Sequence, residues 1–507
     1  HSLSLMILAT SGLSTGLALA QDPPPAPPEK APTLEEKAPP PAADDLAVRL
    51  RALSGRPGGL TSEDVGRRAV KNSKDVRAKQ AEIAAASAEV DKAFAGWFPK
   101  LTLTARYTHL SPVDSGGFGP GDVRLVGTPA PAGAMPPGAP LIAIPSSALA
   151  FPVIQDQYAL QAALLLPVSD YFLRISQSQA AANLGKGASE LTHRAARLNA
   201  ATDAKLVYYG WARAKLSHEV AKQSLSQSKS HHQAAKILFE VDRAAKADVL
   251  RAESAVAGAE LLVERTSNLT ALAEDRLRTL LGDPATARYE IGEDLMGSSP
   301  RQSEKLDFAS LYAESLRQRL ELRALEKAGL SLAEQKRAVK SVGLPRLDAF
   351  GNAYYANPNQ RYVPQSSEWK ATWDVGVQLT WTPNDFLTAG ATAAGLEAQR
   401  AKLDAQRDQL RDALRTEIFD ASQSLREAQV ALGTAQRGSA AAEEAYRARA
   451  EQYRLGRASS VELTDAEADL SRSRLEVINA RVGIRIARVK LDHALGQALG
   501  TDGQLPR

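Results

Sequence analysis

The sequence predicts a mainly α-helical fold that also supplies strands to a membrane β-barrel. Three observations lead to this fold class: long proline-free stretches, four segments with a two-residue alternation, and an internal repeat. Aromatic residues make up only 5% of the 507 residues, which disfavours a set of large compact cores. Long helices that pack along their whole length against other helices suit this composition better.

Two pairs of long helices are expected from proline-free stretches rich in alanine, leucine, glutamine and charged residues. In one of them Leu410, Leu414, Ile418 and Ala421 recur every three or four residues, which is the spacing of a helical seam. A helix of about 65 residues is roughly 100 Å long. The long helices are predicted over 170–238, 248–281, 386–455 and 462–495, and shorter ones over 61–95 and 307–341.

Four segments alternate apolar and polar residues, so each has one apolar face if it is a strand. They are predicted at about 101–110, 157–167, 346–355 and 369–382. Soluble sheets alternate in the same way. However, Trp373 and Trp381 would lie about 27 Å apart at 3.4 Å per residue, which suits the apolar band of a membrane barrel. The residues expected at the membrane interfaces, in contact with outer-membrane lipid, are Tyr107, Trp369, Trp373 and Trp381.

Four strands are too few to close a barrel, and an open sheet edge in lipid would leave backbone groups without hydrogen bonds. We therefore expect an oligomer. A homotrimer would contribute twelve strands and enclose an open lumen.

The N-terminal region reads as an export signal followed by a linker. Residues 3–20 are largely apolar and end in Ala18-Leu19-Ala20, which predicts a cleaved signal peptide over 1–20. A short membrane anchor is the alternative interpretation. Residues 21–54 are proline-rich and are predicted to be a disordered linker. The mature protein is therefore expected to be exported.

The second half of the chain repeats the first half at a constant offset. The segment from Phe239 to Glu253 aligns with that from Tyr453 to Glu467, and Leu281-Gly282 aligns with Leu495-Gly496. Each repeat reads as a helix, a β-hairpin and a long helical hairpin. The repeats are assigned to 55–282 and 306–500, joined by an equatorial connector at 283–305 and followed by a tail at 501–507. The hairpin tips are placed at 239–248 and 453–462, and an extracellular loop at 111–156.

Three motifs together resemble the TolC-like outer-membrane efflux protein family over nearly all of residues 55–500. They are Trp97-Phe98-Pro99-Lys100-Leu101, the sequences Pro167-Val168-Ser169-Asp170 and Pro383-Asn384-Asp385 after the second and fourth strands, and the turn that runs from Tyr453 to Asp465. The resemblance implies a homotrimer in the outer membrane of a Gram-negative bacterium, with a twelve-strand barrel and a periplasmic α-helical tunnel. It also implies the exit duct of a tripartite efflux or type I secretion pump, docked to a periplasmic adaptor and to an inner-membrane transporter of the RND or ABC type.

The same resemblance assigns roles to the hairpin tips. Glu462 and Asp465 match acidic residues that line the periplasmic constriction in the family, and Asp248 is the first-repeat counterpart of Glu462. In a trimer Glu462 and Asp465 would each form a ring of carboxylates that attracts cations. The alternative interpretation is that Glu462 and Asp465 only cap and charge a helix N-terminus.

Residues at the tip turns are candidates for a latch and for adaptor contact. Tyr453 matches a tyrosine of the family's latch, whereas its arginine position holds Ala458 here, with Arg457 and Arg243 as nearby substitutes. Gly456 and Arg457 lie in the turn that adaptor hairpins are expected to contact. A plain turn between two helices is compatible with this interpretation.

Composition and motifs argue against several other classes of protein. The net charge is only +4, from 62 basic and 58 acidic residues, which does not favour nucleic-acid binding, and there is no cysteine. No nucleotide-binding or zinc motif is found, so we expect no enzyme, cofactor or metal site. Two alternatives to the duct are a periplasmic coiled-coil tether and a periplasmic adaptor subunit.

Overall fold

The computed structural model describes residues 43–112, 124–127, 141–144, 154–297, 307–363 and 365–497. The predicted signal peptide, residues 21–42 of the predicted linker and the tail at 501–507 lie outside the described residues. The chain divides into two units, His1–Ala43 and Asp44–Arg507. Nearly all elements described below belong to the second unit.

The described residues are mostly helical, as the sequence predicts. Helix α5 (Ser176–Glu240) continues from α4 (Val168–Asp170) through a π-helical turn at Tyr171–Ile175. The longest of the described helices, α9 (Asp385–Arg454), has 70 residues and is about 105 Å long. The helices are α1 Ala43–Leu53, α2 Ser62–Asn72, α3 Lys74–Ala95, α4 Val168–Asp170, α5 Ser176–Glu240, α6 Lys246–Leu281, α7 Phe308–Gln318, α8 Leu320–Lys340, α9 Asp385–Arg454 and α10 Ser460–Ala494.

Helix α1 contradicts the predicted linker over part of its length. The structure is helical over Ala43–Leu53, and Leu46 is buried while Leu50 and Leu53 pack against the same cluster around Trp211. These leucines recur at helical spacing. The proline-rich composition of the preceding residues hid this short amphipathic pattern.

Each of the two predicted shorter helices is interrupted once. Ser73 has an extended ψ of 124° and caps α3 by accepting a hydrogen bond from the Val76 N–H, so 61–95 forms two helices. Arg319 has a similar extended conformation between α7 and α8. The break at Ser73 is a side-chain cap, whereas the Arg319 side chain does not cap α8, and the apolar spacing reveals neither break.

The main sheet has four antiparallel strands in the order β1-β4-β5-β6. Their register places Leu103 opposite Ala162, Ala162 opposite Ala353, and Ala353 opposite Trp373. The strands are β1 Lys100–His109, β4 Asp156–Leu166, β5 Arg346–Asn357 and β6 Lys370–Thr380.

A second, two-stranded sheet lies within the predicted extracellular loop 111–156. Its strands, β2 Arg124–Gly127 and β3 Leu141–Ile144, pair antiparallel. These strands could not be predicted from the sequence, because four residues between prolines and glycines are too few for an alternation to be recognised.

The main sheet is apolar on one face and polar on the other. The apolar side chains are largely exposed: Leu103 and Val377 are each 74% exposed and Trp373 is 72% exposed. The opposite face carries polar side chains that include Thr104, Gln161, Asn352, Thr372 and Asp374. The outer edges of β1 and β6 pair with no other described strand.

The helical core is centred on α5. Its Trp211, Tyr208 and Leu216 are fully buried with Leu277 of α6 and Val482 of α10. Helix α5 packs against α3, α6, α8 and α10, and α9 packs against α8 and α10. None of the helices in the described ranges has the length and apolar character required to cross a membrane.

Candidate functional site at the helical hairpin tips

The two tips have helix boundaries that correspond exactly between the repeats. The first tip separates Glu240 from Lys246, and the second separates Arg454 from Ser460. Both turns therefore contain five residues. The next left-handed glycines, Gly282 and Gly496, are separated by the same offset as the tips.

The second turn is built around Gly456, which has a φ of 70°. The Gly456 N–H donates to the Tyr453 carbonyl at 3.0 Å, and the Arg457 N–H donates to the Gln452 carbonyl at 2.8 Å. A Cβ at Gly456 would meet no atom within 4 Å. Glycine is therefore required there by the left-handed backbone and not by lack of space.

The first turn has the same backbone but a different residue at the left-handed position. Asp242 has a φ of 58°, and it is the first-repeat counterpart of Gly456. Its N–H donates to the Phe239 carbonyl at 3.0 Å, and the Arg243 N–H donates to the Leu238 carbonyl at 2.8 Å. Aspartate tolerates this conformation better than most residues.

Two of the three predicted gate acids cap helices. The Glu462 carboxylate accepts the Ser459 N–H at 3.2 Å, while the Ser459 hydroxyl accepts the Glu462 N–H at 3.3 Å. The Asp248 carboxylate accepts the Ala245 N–H at 3.2 Å. Glu462 therefore has the helix-capping role that was its alternative interpretation, and Asp248 makes the corresponding contact in the first repeat.

The predicted acids Glu462 and Asp465 also share an exposed face of α10. Both are exposed, and three residues of spacing place them one above the other. Glu462 lies 3.7 Å from Arg449 of α9, whereas Asp465 forms no ion pair with any described residue. Capping occupies part of the Glu462 carboxylate and leaves Asp465 facing solvent.

Tyr453, a predicted latch residue, is buried. It is 6% exposed, and its ring packs edge-on against His231 of α5 with a centroid distance of 5.2 Å. Its hydroxyl has no hydrogen-bond partner among the described residues. Burial, and then the negative charge of Asp248, raise the pKa of Tyr453 above its ordinary value.

Two buried polar residues near the second tip were not predicted from the sequence: His231, which packs on Tyr453, and Glu467, which approaches His231. His231 and Glu467 approach to 3.5 Å between Nδ1 and Oε2, and both are buried. Burial, and then the charge of Glu467, raise the pKa of Tyr446 to about 12. A signal was present: Glu467 interrupts the apolar stripe of Leu463 and Leu470, where a charged residue is unusual.

The two arginines proposed for the latch lie outside this buried cluster. Arg243 and Arg457 are both exposed, and neither forms an ion pair within the described part of the chain. The structure therefore brings Tyr453, His231 and Glu467 together and leaves the arginines facing away from the chain.

The predicted interface aromatics are distributed over the sheet. Tyr107, Tyr158, Tyr355 and Trp369 form a row across one end, with centroid distances of 5.1 Å from Tyr107 to Tyr158, 6.1 Å from Tyr158 to Trp369 and 4.9 Å from Trp369 to Tyr355. At the other end, the Trp381 Nε1–H donates to the Gly343 carbonyl at 3.2 Å.

Trp373 lies between these ends. It is opposite Ala353 in the register, four residues from the row that contains Trp369. No group of three or more histidine, aspartate or glutamate residues suited to a metal ion occurs in the described ranges.

The chain matches a known family of proteins. Residues 65–283 and 311–497 match the family described as outer membrane efflux protein. No curated protein matches the sequence significantly.

Three solved structures share the fold at low sequence identity. The open state of the outer membrane channel MtrE of Neisseria gonorrhoeae aligns with a TM-score of 0.68 and 16% identity, covering 88% of this chain and 91% of that chain. VceC of Vibrio cholerae aligns with 0.66 and 16%, covering 87% and 97%. The CmeC channel of Campylobacter jejuni aligns with 0.65 and 14%, covering 90% and 93%.

Proposed function

We propose, since the chain belongs to the outer membrane efflux protein family, that three copies form a channel-tunnel serving as the exit duct of a tripartite efflux or type I secretion pump. The main support for a trimer is the four-stranded sheet, which has an exposed apolar face and two outer edges that pair with no other described strand. In lipid, backbone groups at such edges lack hydrogen-bond partners. Strands β1 and β6 of neighbouring copies would satisfy each other and close a barrel of twelve strands.

The helices support the same assembly. Helix α6 exposes Leu250, Leu261 and Leu272, which recur every eleven residues and therefore follow one line along the helix. Such a stripe is costly in water and is covered when a neighbouring helix packs on it. A second copy supplies that helix if the three hairpins form a continuous helical barrel.

The constant offset between the halves supports the two-repeat organisation. Strands β4 and β6 have the same length, and their first residues, Asp156 and Lys370, are separated by the same offset as the two tips. The glycines after the hairpins also keep this offset. Two similar halves in each of three chains would arrange six hairpins around one axis.

The trimer is tested by measuring the protein mass of the detergent-extracted particle by multi-angle light scattering. We expect the mass of three mature chains. Replacing Val375 and Val377 in β6 by glutamate provides the matched control, because charges on the lipid face disfavour insertion. A monomer that remains soluble without detergent would contradict the barrel and favour the periplasmic tether.

We infer that the constriction at the tunnel entrance carries Glu462 and Asp465, with Asp248 near it. These acids lie in the first turn or two after the tip, where a three-fold axis brings copies of one residue close together. Gly456, Arg457 and Arg243 then form the exposed surface that an adaptor contacts, and the buried Tyr453 holds the second tip against α5 as the latch residue. The adaptor opens the duct by binding the splayed tips more tightly than the closed ones.

The gate is tested with Glu462→Gln and Asp465→Asn together, measured as cation selectivity in planar bilayers. Glutamine at position 462 retains the capping box, so a change reports on charge and not on an unfolded tip. We expect cation preference to fall. The matched control is Asp469→Asn, on the same helix one turn further from the tip. Selectivity that is equal in all variants would contradict this assignment.

No energy-coupling motif accompanies these features in the sequence, so the chain is proposed to act as a passive duct. An inner-membrane transporter of the RND or ABC type would drive export, and a periplasmic adaptor would join it to the tips. Co-purification of the trimer with an adaptor, lost when Gly456 and Arg457 are replaced, would support this arrangement. Retention of the adaptor by that variant would place the contact elsewhere.

A further inference from the structure

Residues 358–363, which follow β5, fold back onto the polar face of the sheet. Asn359 is 4% exposed. Its Nδ2 donates to the Lys370 carbonyl at 2.9 Å and to the Thr372 hydroxyl at 3.2 Å, and its Oδ1 accepts the Arg361 N–H at 3.0 Å. Thr372 belongs to the polar face of β6, so this loop is anchored on that side of the sheet.

Arg361 carries the loop further down the polar face. Its Nη2 lies 2.6 Å from Oδ1 of Asp374, and its Nη1 donates to the Trp373 carbonyl at 3.1 Å. Its guanidinium also lies over the Tyr354 ring at 5.1 Å. Three different kinds of contact thus hold one side chain, and the charge-assisted one is the strongest.

The contacts extend across the neighbouring strands. The Asn352 Nδ2 of β5 donates to Oδ2 of Asp374 at 2.9 Å. Gln360 reaches Gln157 of β4 at 3.4 Å. The loop therefore crosses β5 and lies over three strands, whereas a hairpin connection needs only to join β5 to β6.

We propose that residues 358–363 form a second constriction, at the outer mouth of the duct, and that Arg361 and Asp374 determine which molecules pass it. This inference rests on the proposed trimeric barrel, whose lumen the polar face would line. Three copies would place three paired Arg361 and Asp374 side chains around the lumen. The ion pair between Arg361 and Asp374 holds the loop inward. Removal of either partner releases the loop and leaves a ring of three charges of the same sign.

The experiment uses single cysteines, because the natural chain contains none. Gln378→Cys places a thiol on the polar face, four residues beyond Asp374 and away from the loop. Intact cells are treated from outside with membrane-impermeant methanethiosulfonates, one anionic and one cationic. The rate of thiol modification at Gln378→Cys is divided by the rate at Glu368→Cys, an exposed site near the end of the same connection. This ratio is the relative rate.

We expect the relative rate at Gln378→Cys to rise about tenfold when Asp374→Asn or Arg361→Ala is added, which corresponds to about 1.4 kcal/mol in the population of the released loop. The two variants should also differ in sign. Asp374→Asn leaves three arginines and favours the anionic reagent, whereas Arg361→Ala leaves three aspartates and favours the cationic one. Because Arg361 lies in an exposed loop, its replacement leaves the strands intact even if Asp374→Asn disturbs the sheet.

Asp348→Asn is the matched control, because it breaks a similar pair with Arg346 on the same face but far from the loop. Asp348 lies opposite Gln378 in the register, so its removal also changes the charge beside the thiol. Its relative rate, averaged over the two reagents, should nevertheless stay well below the tenfold rise. Equal rates in the parent, Asp374→Asn and Arg361→Ala would overturn the outer constriction.

Val377→Cys distinguishes failure of this inference from failure of the barrel. Val377 lies on the apolar face beside Gln378 and should be protected by lipid in every background. If Val377→Cys is protected and the rate at Gln378→Cys is the same in the parent and in the loop variants, the outer constriction is rejected but the barrel is not. If Val377→Cys and Gln378→Cys are labelled at the same rate, the polar face does not line a lumen, and both the barrel and the outer constriction are rejected.

Discussion

The two hairpin tips share one backbone and differ in the side chains that support it. Both turns have five residues, a left-handed residue at the second position and matching hydrogen bonds. The second tip has Gly456 in the left-handed conformation, Ser459 as a capping side chain and a buried Tyr453. The first tip has Asp242, Ala245 and Phe239 at the corresponding positions, and Phe239 is 42% exposed.

The difference shows that the hairpin turn does not by itself determine how firmly a tip is held. Tyr453 packs on His231 of α5, so the second tip is joined to a neighbouring hairpin of the same chain. Phe239 has no comparable buried environment among the described residues. We therefore expect the second tip to be the more stable and the first to open locally at lower free energy.

The largest difference in local stability between the two tips is expected from the substitutions Tyr453→Ala and Phe239→Ala. Removing the buried Tyr453 ring should cost about 3 kcal/mol of local stability, whereas removing the partly exposed Phe239 ring should cost about 0.5 kcal/mol. Hydrogen–deuterium exchange of peptides from the two tips measures both. Equal losses would mean that neither tip is anchored by its aromatic residue.

The next largest change in stability is expected from substitutions at the left-handed position of each turn. Gly456→Ala should destabilise the second tip by about 1–2 kcal/mol, because the backbone conformation disfavours a Cβ although space is available. Asp242→Gly at the first tip should change stability by no more than about 0.5 kcal/mol. The same exchange measurement applies. A neutral Gly456→Ala would show that the turn relaxes to another conformation at no cost.

A smaller effect is expected from the helix caps. Ser459→Ala should cost about 1 kcal/mol, and Ala245→Ser should stabilise the first tip by a similar amount. If exchange at the first tip is unaffected by Ala245→Ser, the Asp248 carboxylate already satisfies the available N–H groups.

The smallest effect concerns pH. The raised pKa of Tyr453 means that its contribution to stability is present below the ordinary tyrosine pKa of 10.0 and is lost as pH rises through the higher folded value. Tyr453→Phe should remove this alkaline loss. Thermal unfolding of both proteins, followed by circular dichroism on either side of pH 10, measures the difference. Parallel pH profiles would contradict the assignment.

Much of the fold could be predicted from local sequence patterns. The three- and four-residue recurrence at Leu414 and Ile418 predicted α9, and both residues are fully buried in the structure. The two-residue alternation around Trp373 predicted β6 and its exposed apolar face. The match between the segments at Phe239 and Tyr453 predicted two tips with one geometry.

Other features escaped prediction because their signals were short or not local. Helix α1 was hidden beside a proline-rich stretch, and the four-residue strands β2 and β3 gave no recognisable alternation. The burial of His231 against Glu467 depends on two helices that are far apart in sequence. The spacing of Glu462 and Asp465 predicted that they share a helix face. It did not predict that the Glu462 carboxylate is partly occupied by capping the helix.

The sequence by itself determined the long helices, the four strands of the main sheet and the turn at Gly456, because the periods of 3.6 and 2.0 and the left-handed turn are properties of neighbouring residues. Only the tertiary structure decided that Tyr453 is buried while Phe239 is exposed, and that Arg361 folds onto Asp374 across the polar face. Those outcomes depend on which elements become neighbours, and that choice is made by packing and electrostatics summed over distant parts of the chain.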